Sequence, residues 1–505
     1  MHWDKKVLKF SRLSYNSGMN SLFDLLKKAK DTCPDKVAIL TEDRSYTYNE
    51  YYENSIKAAN VISENNFDLT KPILVLIDDN EFDLFIFMGI LSLGGFYVPV
   101  NYKVPEERMN TILNNTPVGG IVTSVANDKG YLNIKDEILK REFEDFDPVS
   151  HTIASDPALG LFTSGSTGVP KLVLKSHGSI ISMCENFNAD FDFNEENIFA
   201  NQVSFEFDSS LKSIYLAMYN TSTIGLIPTK YFMFPKKIID LINKFKGDTL
   251  IWSTFALRLM ENFKVFSYDK IPTVKTVMFS GEVMPEKTIM YWMDNVEARY
   301  YNLYAPTEYS FNVLYHEIDE KEDLSEIPAG KEVTGGRVYI FDEDFNLCRA
   351  NEEGDLYLSG AGLALGYYGD EKKTRDVFIQ NPLNESYPEI IYNTGDRALR
   401  DEKGNVYFKG RNDYQVKHQG YRIELGEIEN GVNSLSGVDI SGVVFDKEKE
   451  KLVLFYQGSA EEKELLKEIR AKLPRHFMPK QIIKLDEMPL NRNQKVDRNK
   501  LKELL

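Results

Sequence analysis

The stretch ALGLFTSGSTGVPKLVLKSHGSII, residues 158–181, joins an apolar run, a loop of glycines and hydroxyls, and a second apolar run. Its centre is LFTSGSTGVPK (161–171). Glycine lets the backbone adopt φ > 0 and approach a ligand closely, and successive N–H groups in such a turn form an anion-binding concavity. The hydroxyls of Thr163, Ser164, Ser166 and Thr167 add donors beside Gly165 and Gly168, and Lys171 adds a positive charge. Gly/Ser-rich surface linkers share this composition, but the tract is short and runs straight into apolar alternation. We read a phosphate-binding loop that follows a strand. It is not a Walker loop, because Gly168 is followed by Val-Pro-Lys rather than Lys-Ser/Thr.

Outward from the loop, strand-like runs alternate with helix-like segments. VAIL (37–40), PILVLI (72–77), FYVPV (96–100), GGIVTS (119–124), STIGLIP (222–228), TVMFSG (276–281) and ARYYNLYA (298–305) are the strand candidates, and FPKKIIDLINKFK (234–246) has helical spacing. Such alternation predicts an α/β fold with mostly parallel sheets flanked by helices. From about residue 330 to 413, Gly-punctuated runs such as GRVYIFDED, GDLYLSG and GNVYFKG suggest a β-rich subdomain. A small α+β domain is expected over 414–505, with a hairpin in VVFDKEKEKLVLFYQG and a helix over 461–473. Residues 1–413 then form the large domain. The charge- and glycine-dense GRNDYQVKHQGYRIELGEIE (410–429) reads as the hinge between the two, centred on Asp413.

With 505 residues the chain is too long for one ordinary core. A net charge of −17 argues against a general nucleic-acid or anionic-membrane surface. Cys33, Cys184 and Cys348 are widely spaced and form no metal or disulfide framework, which suggests a reducing cytoplasm. No signal peptide is evident. The uncharged run LFIFMGILSLGGFYVPV (84–100) is broken by Gly94-Gly95 and Pro99, and reads as a buried helix followed by a strand rather than a membrane span. A monomer is expected.

Seven motifs in order resemble the adenylate-forming enzymes, in particular the adenylation domains of nonribosomal peptide synthesis and the D-alanine–carrier-protein ligases. They are TSGSTGVPK, FEFDSS (205–210), NLYAPTE (302–308), GDLYLSGAGLALGYY (354–368), YNTGDRALR (392–400), the 410–429 segment, and PLNRNQKVDRNKL (489–501). The resemblance implies ATP and Mg²⁺ as cofactors. Residues 163–168 with Lys171 would cradle phosphates, Gly281 would line the nucleotide site, and Glu308 would hold Mg²⁺ with Thr307 near the α-phosphate. Tyr304 would stack on adenine, Asn302 would bond its edge, and Asp396 and Arg411 would serve the ribose. Lys495 would bridge the carboxylate and the α-phosphate. Three departures stand out: Leu172 and Ala305 where the family has glycine, and Leu365 where it has arginine. The methyl of Ala305 would crowd the site if that position needed φ > 0.

By the same resemblance, Asp208 sits where amino-acid-activating members hold the substrate ammonium, although a helix cap is its plainer reading. The other pocket positions are Ser209, Lys212, Leu250, Met278, Ser280, Leu303, Phe311 and Asn312. A buried lysine without a partner is costly. Lys212 therefore either pairs with Asp208 across one helical turn or awaits an acidic or amide side chain. A small amino acid, as in the D-alanine ligases, is the alternative substrate. The sequence ends just past the lysine motif, so a separate carrier protein is the expected acceptor. An acyl- or aryl-CoA ligase and a non-catalytic nucleotide-binding scaffold are the competing functions.

Overall fold

The computed structural model describes residues 19–146, 148, 151–165, 169–319, 321–411, 415–490 and 496–505. Two large sheets form the body. In the first the strand order is Gly366–Tyr367, Lys171–Ser176, Pro157–Thr163, Tyr97–Asn101, Ile73–Ile77, Gly120–Thr123 and Leu132–Asn133, parallel from Pro157–Thr163 onward. Lys171–Ser176 runs antiparallel to Pro157–Thr163 with Thr163 opposite Lys171, so the glycine-rich loop is a hairpin connection. The second sheet runs from Lys331–Glu332 through Leu314–Glu317, Arg299–Tyr304, Thr276–Ser280, Thr249–Ser253, Ile198–Asn201, Thr223–Leu226 and Val37–Leu40 to Ser45–Thr47. Arg299–Tyr304 turns back antiparallel into Leu314–Glu317, which places the Ala305–Asn312 loop at a hairpin tip.

Most expected strands and helices appear within a residue or two of their predicted bounds, but the first strand of the 443–458 hairpin begins earlier, at Val438, and the GRVYIFDED strand ends at Phe341. The apolar 84–100 run is a helix, Glu81–Ser92, buried throughout from Phe82 on, followed by the strand Tyr97–Asn101. Its start is capped by Asn80, with Asp83 bonding back. Among the described residues no helix is long and apolar enough to cross a membrane.

The β-rich unit is antiparallel: Gly336–Phe341, Gly354–Gly360, Ile390–Arg400 and Phe378–Gln380, with Val406–Arg411 also on Ile390–Arg400. Its register sets Asp396 opposite Arg411. The C-terminal unit has a hairpin, Gln415–His418 with Tyr421–Glu424. Gln419 (φ 55°) and Gly420 (φ 81°) at the hairpin tip are both left-handed, as a two-residue turn in a twisted ribbon requires. The helix Leu425–Asn433 follows. A sheet of Val438–Asp446, Lys451–Gly458 and Gln481–Lys484 completes the unit, with the expected helix at Glu462–Lys472.

Candidate active site

Residues from distant motifs converge at the tips of these hairpins. Asp396 is buried, with its two oxygens bonded by the Tyr304 hydroxyl and the Arg411 guanidinium. Arg411 also donates to Thr394 O at 3.1 Å. Half-buried Lys417 lies 5.7 Å over the Tyr304 ring, and desolvation pulls its pKa down against the attraction of Asp396. Asn302 donates to Pro328 O at 2.7 Å. Gly281 has φ 108°, a conformation that favours glycine. Ala305 is not among the positive-φ residues, so its methyl causes no backbone strain and the crowding expected there does not arise.

Glu308 is 1% exposed. Burial pushes its pKa up, but Arg422 at 2.6 Å and the Tyr367 hydroxyl at 2.7 Å outweigh it and hold the pKa at about 2. Arg422 comes from the C-terminal hairpin. Neighbouring groups of that domain meet the glycine-rich loop: Ser164 Oγ donates to Arg422 O at 2.8 Å, and Gly165 N donates to Glu427 Oε2 at 3.2 Å. Lys171 lies 3.7 Å from Glu424. A Cβ on Gly165 would come within 1.9 Å of Val169 O, so the backbone there is too close for any other residue. The Gly165 amide and Lys171 thus already face carboxylates, Ser164 is bonded to a backbone carbonyl, and the site's buried carboxylate already faces a cation. Ser166, Thr167, Gly168, Asp413 and Lys495 lie outside the described residues.

Asp208 opens the helix Asp208–Tyr219 but does not cap it, since the N-cap residue is Phe207 with no side-chain cap bond. Its carboxylate instead meets Lys175, whose Nζ lies 2.6 Å from Oδ1. The expected pairing of Asp208 with Lys212 is absent among the described residues. Lys212 is 1% exposed with no ion pair, and burial lowers its pKa to about 8. Met278, Leu303 and Phe311 share one apolar cluster, with Phe311 held at φ 61° against Phe187. Leu250 does not join them. It packs with Trp252 and Phe279 on the opposite face of the sheet, while Ile251 pairs with Met278 and shares its side. Neighbouring strand residues face opposite sides of a sheet, so it is Ile251, not Leu250, that shares the face of Met278.

Sequence reasoning assigned no role to Lys175, Arg422, Glu424 or Glu427. For Lys175 the available signal was a lysine inside the apolar run LVLKS.

The chain matches the family model described as AMP-binding enzyme over residues 26–368. It belongs to that family and is an adenylate-forming enzyme. It is 28% identical over 505 residues to a D-alanine--D-alanyl carrier protein ligase of Bacillus licheniformis, covering 95% of this chain and 99% of that one. It is also 28% identical to polyketide synthase PksN of Bacillus subtilis, where it covers 94% of this chain but only 9% of that protein. It spans 45% of tyrocidine synthase 1 of Brevibacillus parabrevis, so the chain is much shorter than several of its curated relatives. Among solved structures, an artificially fused adenylation–PCP di-domain NRPS from Klebsiella oxytoca superposes with a TM-score of 0.81 at 22% identity, over 93% of this chain and 94% of that one. The o-succinylbenzoate CoA synthetase of Bacillus subtilis gives 0.83 at 18% identity, over 95% and 98%.

Among the described residues no group of three His, Cys, Asp or Glu side chains could hold a metal by itself. Magnesium commonly binds through one or two carboxylates shared with substrate phosphates. Glu308, buried and held ionised, fits that role.

Proposed function

We propose that the protein activates a carboxylic acid with ATP as its acyl-adenylate, then passes the acyl group to the phosphopantetheine thiol of a separate carrier protein. The acid is an amino acid or one of the same frame lacking the amine. The reading is carried by the convergence of Ser164, Gly165, Tyr304, Glu308, Asp396 and Arg411, from four separate motifs, at one site. The carrier protein is supported by the D-alanine ligase that this chain parallels along its length.

In the first step a carboxylate oxygen attacks the α-phosphorus and pyrophosphate leaves. The reactants are both anionic, so the site must supply donors and positive charge. The 163–168 loop and Lys171 take the leaving phosphates, while Asp396 and Arg411 hold the ribose and Tyr304 the base. Magnesium, held by Glu308, supplies charge neutralisation at the phosphates. Lys495 bridges the attacking carboxylate and the α-phosphate. In the second step the thiol sulfur bonds to the acyl carbon, the carbon–oxygen bond to AMP breaks, and the thiol proton is released.

ATP–pyrophosphate exchange tests this reading. Lys495→Ala is expected to abolish exchange while ATP binding survives, because a charge that acts on the transition state contributes about 3 kcal/mol or more. Exchange within about tenfold of wild type would sink the role of Lys495. Faster turnover with coenzyme A than with every carrier protein tried would sink the carrier assignment.

A further inference from the structure

The chain brings its own ammonium to Asp208. Lys175, on the strand Lys171–Ser176, has a fully buried side chain. Its Nζ forms an ion pair with Asp208 Oδ1 at 2.6 Å, donates to Thr307 O at 2.7 Å and lies 3.5 Å from Ser310 Oγ. A lysine ammonium has three donors and no acceptor; here it bonds Thr307 O and reaches Ser310 Oγ, while Asp208 Oδ1 is paired with it by charge and accepts no hydrogen bond. Removing one member of a buried pair leaves an uncompensated charge, so Lys175 is held where it is.

The charges around it do not balance. Asp208 and Lys175 cancel. Lys212 is one helical turn beyond Asp208, buried, and has no ion pair among the described residues. Burial lowers its pKa most, Asp208 raises it and Lys175 lowers it further. A substrate ammonium would add a second uncompensated positive charge, since the charge of Asp208 is already balanced by Lys175. An acid without an amine adds none. Polar atoms with no bonding partner point to what the far end of that acid offers. Ser209 Oγ, Ser213 Oγ and Asn312 Oδ1 are all buried and unbonded. Ser209, Lys212 and Ser213 are spaced i, i+3 and i+4, so they share one face of the helix. Two hydroxyl donors beside an ammonium suit an anion.

We infer that Lys175 fills, at Asp208, the place a substrate ammonium would take, and that the acid activated here lacks an α-amino group and carries a second carboxylate for Lys212. This rests on the adenylation reading. Lys175 is then a positioning residue that sets specificity through Asp208, and the attack on ATP is unchanged.

The test is pyrophosphate exchange by the full chain with matched acids that differ only in the α-amine: succinate against aspartate, glutarate against glutamate, adipate against α-aminoadipate, each amino acid as both enantiomers. ATP binding is measured alongside. The amine-free member of the best pair is expected to exceed its partner by more than about tenfold in kcat/KM. Equal or faster exchange with an amino acid overturns the inference. So does a protein that binds ATP but exchanges with none of these acids. Failure to bind ATP at all sinks the adenylation reading instead. In Lys175→Leu the ratio should move toward the amino acid by about tenfold or more, since the carboxylate is released for a substrate ammonium. An unmoved ratio in a folded variant rejects the role of Lys175. If that variant does not fold, the wild-type ratio decides alone.

Discussion

Lys212 is the residue whose protonation the pocket exposes to measurement. Its pKa falls to about 8 because burial disfavours the charged form more than Asp208 supports it, while Lys175 opposes it. Below that pH the side chain is cationic and attracts an anion, and above it the attraction fades. KM for an anionic substrate should therefore rise as pH passes 8, with kcat changing less. Lys212→Met should flatten this profile and shift preference toward a neutral acid, read by exchange across a pH series. A profile that stays steep in the variant would assign the titration to another group. At this scale the sequence was informative where two motif residues meet, as Asp396 and Arg411 do. It failed where the partner comes from an unrelated strand. Nothing near Lys175 in the chain indicates Asp208, because the two meet only when the 171–176 strand and the 208–219 helix pack together.

Elements were more legible than their order. The apolar runs marked most of the parallel strands but left out Ile198–Asn201, Thr249–Ser253 and Leu132–Asn133, and the Asp208 helix starts where its composition put it. Sheet order depends on long-range pairing, which local pattern does not encode, and the slip at Leu250 has the same origin. One junction between elements carries a pH dependence. The helix Leu22–Thr32 begins with an amide that donates to His177 Nδ1 at 3.0 Å, which satisfies one of the N-terminal donors a helix leaves open. Burial lowers the pKa of His177 to about 4, against a weaker opposing pull from Asp156. The unfolded chain takes up this proton near the ordinary value of about 6.5, and the folded chain resists it to about 4. The folded state is thus fully favoured above 6.5 and loses stability as pH falls toward 4. At about 1.4 kcal/mol per unit, the loss from pH 7 to pH 4.5 is roughly 2–3 kcal/mol. Denaturant unfolding at these two pH values should show a smaller loss in His177→Asn, and an identical loss in both proteins would clear His177.

At the scale of the whole molecule, the segment from Gln415 onward meets the rest of the chain largely through polar contacts. Arg108 pairs with Glu427, Lys472 with Glu107 at 2.9 Å, and Gly420 N donates to Glu282 at 2.8 Å. Tyr421 adds a ring contact with Phe207 at 4.9 Å. Interfaces of this kind permit relative motion of domains. Their placement gives that motion a direction. Glu427 occupies an amide donor of the glycine-rich loop, Glu424 lies beside Lys171, and Arg422 holds the Glu308 carboxylate. These are the groups assigned to phosphates and magnesium, so this arrangement and bound Mg·ATP compete for the same partners. On the proposed roles, adenylation calls for the hairpin to withdraw, and its return after pyrophosphate leaves would suit the proposed thioester step. The sheet Val438–Asp446 with Lys451–Gly458 fits this exchange of faces. Val432 and Ile428 pack on one side of it, while Val496, next to the proposed adenylation lysine, packs on the other with Val444 and Leu501. Arg422→Ala removes the cation at Glu308 without touching the acid pocket. Pyrophosphate exchange should stay within about threefold of wild type, while single-turnover transfer to the carrier thiol falls by about tenfold or more. Asp413→Pro should show the same asymmetry by restricting the hinge itself. If both half-reactions fall together in Arg422→Ala, Arg422 serves nucleotide binding, and the contacts of this arrangement do not belong to the thioester step.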